Sequence, residues 1–141
     1  MKLKIITRCA VLSALAATIL STPAATLSEG DPAPKLSVSK WIQGEPVKAF
    51  QPGTVYLVEF WASWWLPCQE AMAQVNRLHH KYHDKGLVVI GQNVKESPGT
   101  KVESFIKRMG SLVSYRIALD EGATNRWSGR MQENWLQAAE A

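Results

Sequence analysis

The sequence predicts an α/β domain in which helices cover a mostly parallel sheet. Three apolar runs, at residues 54–61, 87–94 and 113–119, have the β-branched, aromatic and aliphatic composition of strands that are buried on both faces. Segments with helical spacing of apolar residues separate these runs and follow the last one. Because strands and helices alternate, we expect parallel strands in one sheet, joined by right-handed crossovers.

The first segment, residues 1–24, is predicted to be a cleaved secretory signal peptide. Lys2, Lys4 and Arg8 form a basic region, residues 9–20 form a short apolar run, and small residues surround Ala24. The run is shorter than the about 20 apolar residues that a membrane-spanning helix needs, so we expect no stable membrane anchor. The mature protein is therefore expected to be periplasmic or secreted.

Removal of this segment changes the charge and the cysteine content of the chain. Three of the 16 Lys and Arg residues lie in it, so the formal net charge of +4 falls to +1. A nearly neutral domain gives no reason to expect nucleic acid as a partner. Cys9 is removed as well, so Cys68 is the single cysteine of the expected mature chain and cannot form an intramolecular disulfide.

The beginning of the domain is predicted to hold a leader and two short strands. Residues 25–34 are rich in Ala, Ser, Gly and Pro and form the leader, and the domain itself is expected to cover residues 35–141. Short strands are expected at 35–41 and 46–50, around a turn at 43–45. A turn at 51–53 then leads into the strand at 54–61, which Glu59 interrupts.

Three amphipathic helices are predicted among these strands. The first begins near Pro67, which suits the first helical position, and ends at Gly86. The second lies between Ser97 and Gly110, and the third follows a turn at 120–122. The apolar positions of the three helices are, in order, Cys68, Met72, Val75, Leu78 and Tyr82; Val102, Phe105, Ile106 and Met109; and Trp127, Met131, Trp135 and Ala138.

The junction between the strand at 54–61 and the first helix carries a recognisable motif. Residues 60–68 are FWASWWLPC. This segment resembles the F-W-A-x-W-C-G-P-C motif of the thioredoxin-like superfamily, in particular its exported TlpA-like or redoxin branch. The resemblance extends from about residue 33 to the last residue. It implies a thioredoxin-like sheet with flanking helices, and it implies membership of the exported thiol–disulfide oxidoreductases.

The motif departs from that family at the position of the attacking cysteine. Trp65 occupies the nucleophile position, Leu66 replaces the glycine, and Cys68 matches the resolving cysteine. Thiol–disulfide exchange needs an attacking thiolate. We therefore expect dithiol redox activity to be lost or impaired. The family also carries a G-I-P-T-x-F segment with a cis-proline, then a β-hairpin and a final helix; because these are not in the sequence, we expect a C-terminally truncated fold.

Seven residues are the candidate site residues at this junction. Glu59 matches the buried acid that manages the proton of the resolving cysteine in relatives, although we favour a strand carboxylate that local hydrogen bonds satisfy. For Cys68 we favour an inert, partly buried side chain over a reactive thiol. The redox positions are Cys68, Trp65, Glu59 and Pro67, and the apolar binding positions are Trp61, Trp64 and Leu66.

No cofactor or metal is expected. His79 and His83 are four residues apart on the first helix, but no acid or cysteine stands beside them at ligand spacing, so these histidines and His80 are expected on a solvated face. A protein thiol or disulfide is one expected partner. A second copy is another, because without the hairpin the strand at 54–61 has an open apolar edge. Two alternatives to a redox protein stay open: a non-enzymatic module that binds a peptide or partner, and a non-functional gene fragment.

Overall fold

Four strands form one mixed sheet. A computed structural model describes residues 26–97, 99–126 and 128–140 of the chain, so the predicted signal peptide, Pro98 and Trp127 lie outside the described residues. The strands are β1 (Val38–Gln43), β2 (Val55–Trp61), β3 (Leu87–Asn93) and β4 (Arg116–Asp120), in the spatial order β1-β4-β3-β2. β2, β3 and β4 are parallel, and β1 is antiparallel to β4. The predicted α/β sheet with parallel core strands is confirmed.

Three helices accompany the sheet. Helix α1 (Leu66–Tyr82) continues as a 3₁₀ turn, His83–Lys85, which ends at Gly86 in the left-handed conformation with φ of 93°. Helix α2 (Val102–Met109) also ends in a 3₁₀ turn, Gly110–Leu112. Helix α3 covers residues 130–140, and its middle, Gln132–Gln137, is π-helical. None of the helices in the described ranges is long and apolar enough to span a membrane.

The predicted strand at 46–50 is wrong, because β1 runs further than expected. β1 pairs with β4 as far as Gln43, whose side-chain amide Nε2 donates to the carbonyl oxygens of Val113 and Tyr115 at 2.8 Å each. Gly44, with φ of 76°, then turns the chain against Arg116. Of the turn predicted at 43–45, Gln43 thus belongs to β1 and Gly44 makes the turn, and the chain crosses to β2 without a further strand.

Two predicted element starts are also displaced. Helix α2 begins at Val102, because the carbonyl of Ser97 accepts hydrogen bonds from both the amide and the hydroxyl of Thr100 in a preceding turn. β4 begins at Arg116 instead of residue 113, because Ser114 is bound to the side chain of Asn76 from α1. In both cases a hydrogen bond holds residues that the apolar pattern assigned to the next element: a local one at Thr100 and one to a distant residue at Ser114.

One face of the sheet packs against α1 and α2. The predicted stripe of α2 is confirmed, because Val102, Phe105 and Ile106 are buried there. In α1 the stripe is wrong at Leu78, which is exposed; Asn76 is buried instead. The other members of this core are Trp61, Met72, Val89, Val113, Tyr115 and Ile117, with Ile42, Leu57, Cys68, Val75, Leu87, Met109 and Leu119 at its margin.

Helix α3 attaches to the sheet at the end of β4 and reaches β2. The carboxylate of Asp120 accepts hydrogen bonds from the backbone amides of Met131 at 2.8 Å and Gln132 at 3.1 Å. The ring of Trp135 lies 5.8 Å from that of Phe60 and 6.0 Å from that of Phe50, measured between centroids. The inward positions predicted for Met131 and Trp135 are confirmed. The opposite edge of β2 pairs with no strand of the described chain.

Candidate functional site

The candidate site lies where β2 passes into α1. Trp65 caps the helix in an extended conformation, with φ of −97° and ψ of 102°, and the amide of Cys68 donates to its carbonyl at 3.0 Å. Pro67 lies in the first turn, where a residue without an N–H leaves no hydrogen bond unmade. No acidic residue occupies that turn, so nothing in it offsets the partial positive charge of the helix N-terminus.

Cys68 stands at the inner side of this junction. Its side chain is partly buried against the core beneath α1, and Sγ lies 3.9 Å from the carbonyl oxygen of Phe60. It is the only free cysteine among the described residues. Trp65, at the position of the missing thiol, is 49 % exposed and points away from that core.

The apolar surface at the junction is formed by fewer residues than predicted. Trp64 and Trp65 are exposed and meet edge to face at 5.4 Å between ring centroids, and Leu66 is 62 % exposed. Trp61 adds little exposed area, because it is 1 % exposed and stacks on Phe105 at 5.5 Å between ring centroids. The sequence predicts Trp61 as an apolar binding position, and this stays a prediction, since the last residue of β2 faces the core side of the sheet.

A hydrogen-bonded clasp fixes the loop that carries the tryptophans. The carboxylate of Glu96, in the loop after β3, accepts hydrogen bonds from the backbone amide and the hydroxyl of Ser63 at 2.5 and 2.9 Å. It also accepts one from the side-chain amide of Asn93 at 2.8 Å. The indole N–H of Trp64 donates to the carbonyl of Lys95 at 2.7 Å. Sequence reasoning missed Glu96. The signal was available, since loops that follow adjacent parallel strands meet at the same edge of a sheet.

Glu59 lies under the site and is only half satisfied. Its Oε2 accepts a hydrogen bond from the hydroxyl of Tyr115 at 2.8 Å, while Oε1 is buried with no partner in the described structure. Burial raises the pKa of Glu59, although the Tyr115 hydrogen bond acts against it. Burial, followed by the negative charge of Glu59, raises the pKa of Tyr115. One carboxylate oxygen of Glu59 therefore has a hydrogen bond, from a residue distant in sequence, and the other has none.

An apolar groove of about 200 Å³ opens beside Cys68. Trp64 and Trp65 form one wall, and Leu136 of α3 contributes from the far end of the sequence. The guanidinium of Arg126 lies over the ring of Trp64, 4.7 Å from its centroid. The remaining lining residues are Phe60, Trp61, Ala62, Val94 and Lys95.

The three histidines lie at the end of α1, away from this groove. His80 contacts the hydroxyl of Ser114 at 3.0 Å, and His83 contacts the carboxylate of Asp84 at 3.0 Å. His79 is partly buried, and burial, followed by its neighbours His83 and His80, lowers its pKa. In the described ranges, no three His, Cys, Asp or Glu side chains are placed to hold a metal ion.

Comparison with known proteins assigns this arrangement to a family. Residues 28–137 match the redoxin family. The chain belongs to the redoxin family. Its thioredoxin-like fold agrees with a solution structure of a thioredoxin-like protein in the oxidised form, with a TM-score of 0.54 and 26 % identity over 66 % of this chain and 65 % of that one. A structure assigned as the thiol:disulfide interchange protein DsbE of Chlorobium tepidum has the same TM-score at 24 % identity, covering 71 % and 68 % of the two chains.

Curated redoxin-like relatives extend beyond the region they share with this chain. The protein FixW of Rhizobium leguminosarum is 30 % identical over 82 % of this chain and 52 % of its own length. The thiol-disulfide oxidoreductase ResA of Bacillus thuringiensis is 30 % identical over 66 % of this chain and 52 % of its own. The chain therefore spans about half the length of these two redoxin-like relatives.

Proposed function

We propose that this redoxin-family chain has lost the dithiol exchange activity that the name of the ResA relatives describes. The observation that carries the proposal is Trp65 at the cap of α1, half exposed, where the motif requires the attacking thiolate. A dithiol cycle needs one thiolate to attack and a second thiol to release the mixed disulfide. Cys68 matches the second of these, and its sulfur is partly buried against the core.

A second candidate function is the binding of a peptide or protein partner without redox turnover. The observation that favours it is the groove beside Cys68, whose rim carries the exposed rings of Trp64 and Trp65. Exposed aromatic side chains next to an apolar groove are typical of protein contacts. Loss of the attacking thiol leaves this recognition surface intact, so the two proposals are compatible.

Reduction of insulin in the presence of dithiothreitol tests the loss of activity. We expect no turnover above the uncatalysed rate for the unchanged chain. Trp65→Cys combined with Leu66→Gly restores a C-x-x-C pair with Cys68 and is expected to give turnover. Trp64→Cys with Leu66→Gly is the matched control, because it places the thiol one residue away from the motif position. Turnover by the unchanged chain that disappears in Cys68→Ser would overturn the proposal.

Export is proposed together with this function. The charge and apolar pattern of residues 1–24 supports it, and these residues lie outside the described ranges. N-terminal sequencing of the protein from a periplasmic extract tests it. A mature chain that begins just after Ala24 is expected, and an intact N-terminus in the cytoplasmic fraction would contradict the proposal.

A further inference from the structure

Helix α3 forms a wall of the groove that leads to Cys68. Leu136 lines the groove together with Cys68 and Trp65. The neighbouring Trp135 packs on Phe60, and the carbonyl oxygen of Phe60 lies 3.9 Å from the sulfur of Cys68. The position of α3 therefore determines how open the groove is.

The described hydrogen bonds hold α3 chiefly at its two ends. At its start, the carboxylate of Asp120 binds the amides of Met131 and Gln132. Towards its end, the amide of Leu27 donates to the carbonyl of Ala138 at 2.8 Å. Between these anchors, the ring contacts of Trp135 are with Phe50 and Phe60. A helix with a strong anchor at one end and a single hydrogen bond at the other can pivot about the strong anchor.

Two features of α3 are unfavourable in free energy where the helix lies beside the groove, and both would be relieved if the helix moved away from it. The indole Nε1 of Trp135 and Oε1 of Gln132 are both buried without a hydrogen-bond partner in the described structure. A buried polar atom without a partner loses its hydration and gains nothing in return. The backbone from Gln132 to Gln137 is also π-helical, a form that is rare and short in proteins. These features lower the stability of the described position of α3 relative to one in which the helix has moved away from the groove.

We propose that α3 is a lid that opens and closes the groove beside Cys68, with the anchor at Asp120 as its pivot. In the closed position Leu136, which lines the groove, limits access to the thiol. In the open position water reaches Trp135 Nε1 and Gln132 Oε1, and the groove admits the side chains of a partner. The lid concerns access to the thiol, so it is independent of whether the site catalyses dithiol exchange.

The rate at which iodoacetamide alkylates Cys68 tests the lid. The full chain with Cys9→Ser serves as the reference, because Cys68 is then its only thiol. Leu136→Ala weakens the closed position and is expected to speed alkylation about tenfold. Gln132→Met keeps the size of the side chain and removes the unpaired oxygen, so it is expected to slow alkylation about threefold. Leu112→Ala, at an exposed leucine outside the groove lining, is the matched control and should leave the rate unchanged.

A faster alkylation of Cys68 in Leu136→Ala and a slower one in Gln132→Met distinguish movement of the lid from a general loss of stability. Urea unfolding of each variant gives the fraction of globally unfolded chain, against which the alkylation rates are compared. Equal rates in the reference, Leu136→Ala and Gln132→Met would overturn the proposal. An acceleration in Leu136→Ala that matches its increased unfolded fraction would also overturn it. Insulin reduction is measured separately, so a failure of the lid and a failure of the proposed loss of activity are distinguishable.

Discussion

The hydroxyl of Tyr115 donates a hydrogen bond to Glu59 across an intervening strand. Tyr115 directly precedes β4 and Glu59 lies in β2, while β3 separates these two strands in the sheet. Gly91 of β3 lies between them: it is paired with Glu59, and a Cβ at Gly91 would lie 2.9 Å from Cε2 of Tyr115. The glycine therefore leaves the space that lets the phenol reach the carboxylate.

Removing the hydroxyl of Tyr115 should destabilise the fold. In Tyr115→Phe both oxygens of Glu59 lack a partner, because Oε1 already has none. We expect the free energy of unfolding at pH 7 to fall by about 1–3 kcal/mol, measured by urea denaturation. Tyr56→Phe, which removes a hydroxyl hydrogen-bonded to the exposed amide of Gln51, is the control and should have a smaller effect. An equal loss in both variants would contradict the importance of the Glu59 contact.

Replacing Glu59 should change how stability depends on pH. Burial raises the pKa of Glu59 in the folded chain above its ordinary value of 4.5. The folded state therefore holds this proton more tightly than the unfolded state. The resulting stabilisation is complete below the ordinary pKa and is lost as the pH rises through the raised folded pKa. Glu59→Gln cannot ionise, so we expect it to be more stable than the unchanged chain at pH 7 and similar at about pH 4.

Urea unfolding measured from about pH 4 to pH 8 checks this prediction for Glu59→Gln. Asp120 also has a pKa raised by burial, so part of the pH dependence should remain in the variant. A pH profile that is identical with and without the Glu59 carboxyl would contradict the prediction.

A methyl group at Gly91 should be poorly tolerated. The added Cβ of Gly91→Ala would lie 2.7 Å from Cδ1 of Ile117 as well as close to Tyr115. Crowding of this kind costs about 1–3 kcal/mol of stability. Ile117→Val removes Cδ1, so the double variant should lose less than the sum of the two single variants in urea unfolding. Simple additivity would show that the contact with Ile117 is not the cause.

The clasp at Glu96 should control the environment of the exposed tryptophans. Glu96→Ala removes the acceptor of both Ser63 hydrogen bonds, so the loop that bears Trp64 keeps its indole bond to Lys95 but loses these two bonds to the segment after β3. We expect a red shift of tryptophan emission and a loss of about 1–3 kcal/mol in unfolding free energy. Glu103→Ala, which breaks only the exposed ion pair with Lys40, should cost under about 1 kcal/mol and leave the emission unchanged. Identical emission spectra for the two variants would count against the clasp.

Self-association through the free edge of β2 is a further prediction. Val55 begins this strand and is 67 % exposed, and β2 pairs with β3 alone among the described strands. Val55→Lys places a charge on the edge, which disfavours pairing with a second copy. We expect concentration-dependent light scattering to fall relative to Leu112→Lys, which adds the same charge at an exposed leucine elsewhere. A monomeric unchanged chain at high concentration would contradict the prediction.

The sequence predicted the structural features that depend on residues close to one another in the chain. The buried face of α2 follows from its apolar spacing, and Gly86 ends the helical segment because it adopts a left-handed conformation. The position of Cys68 at the start of α1 followed from the motif and Pro67. These features depend on local backbone preferences and periodicity, which a single sequence contains.

The contacts between distant residues were not predictable in the same way. The bonds from Ser63 to Glu96 and from Glu59 to Tyr115 join residues 33 and 56 positions apart. No periodicity specifies which acid meets which donor across a sheet. The strand predicted at 46–50 failed for the same reason, because its absence follows from how far β1 pairs with β4. Leu136 reached the groove through the docking of α3 at Asp120, which apolar spacing alone does not indicate.

The strand order has a consequence for the sequence of events in folding. β2, α1 and β3 are consecutive, so they can assemble as soon as they have been synthesised. β1 pairs only with β4 among the described strands, and the hydroxyl of Ser39 bonds to the carbonyl of Asp120, 81 positions later. The first strand to emerge is therefore the last to dock, since its partner is made after both other strands. During that interval β1 is the segment most exposed to chaperones and proteases.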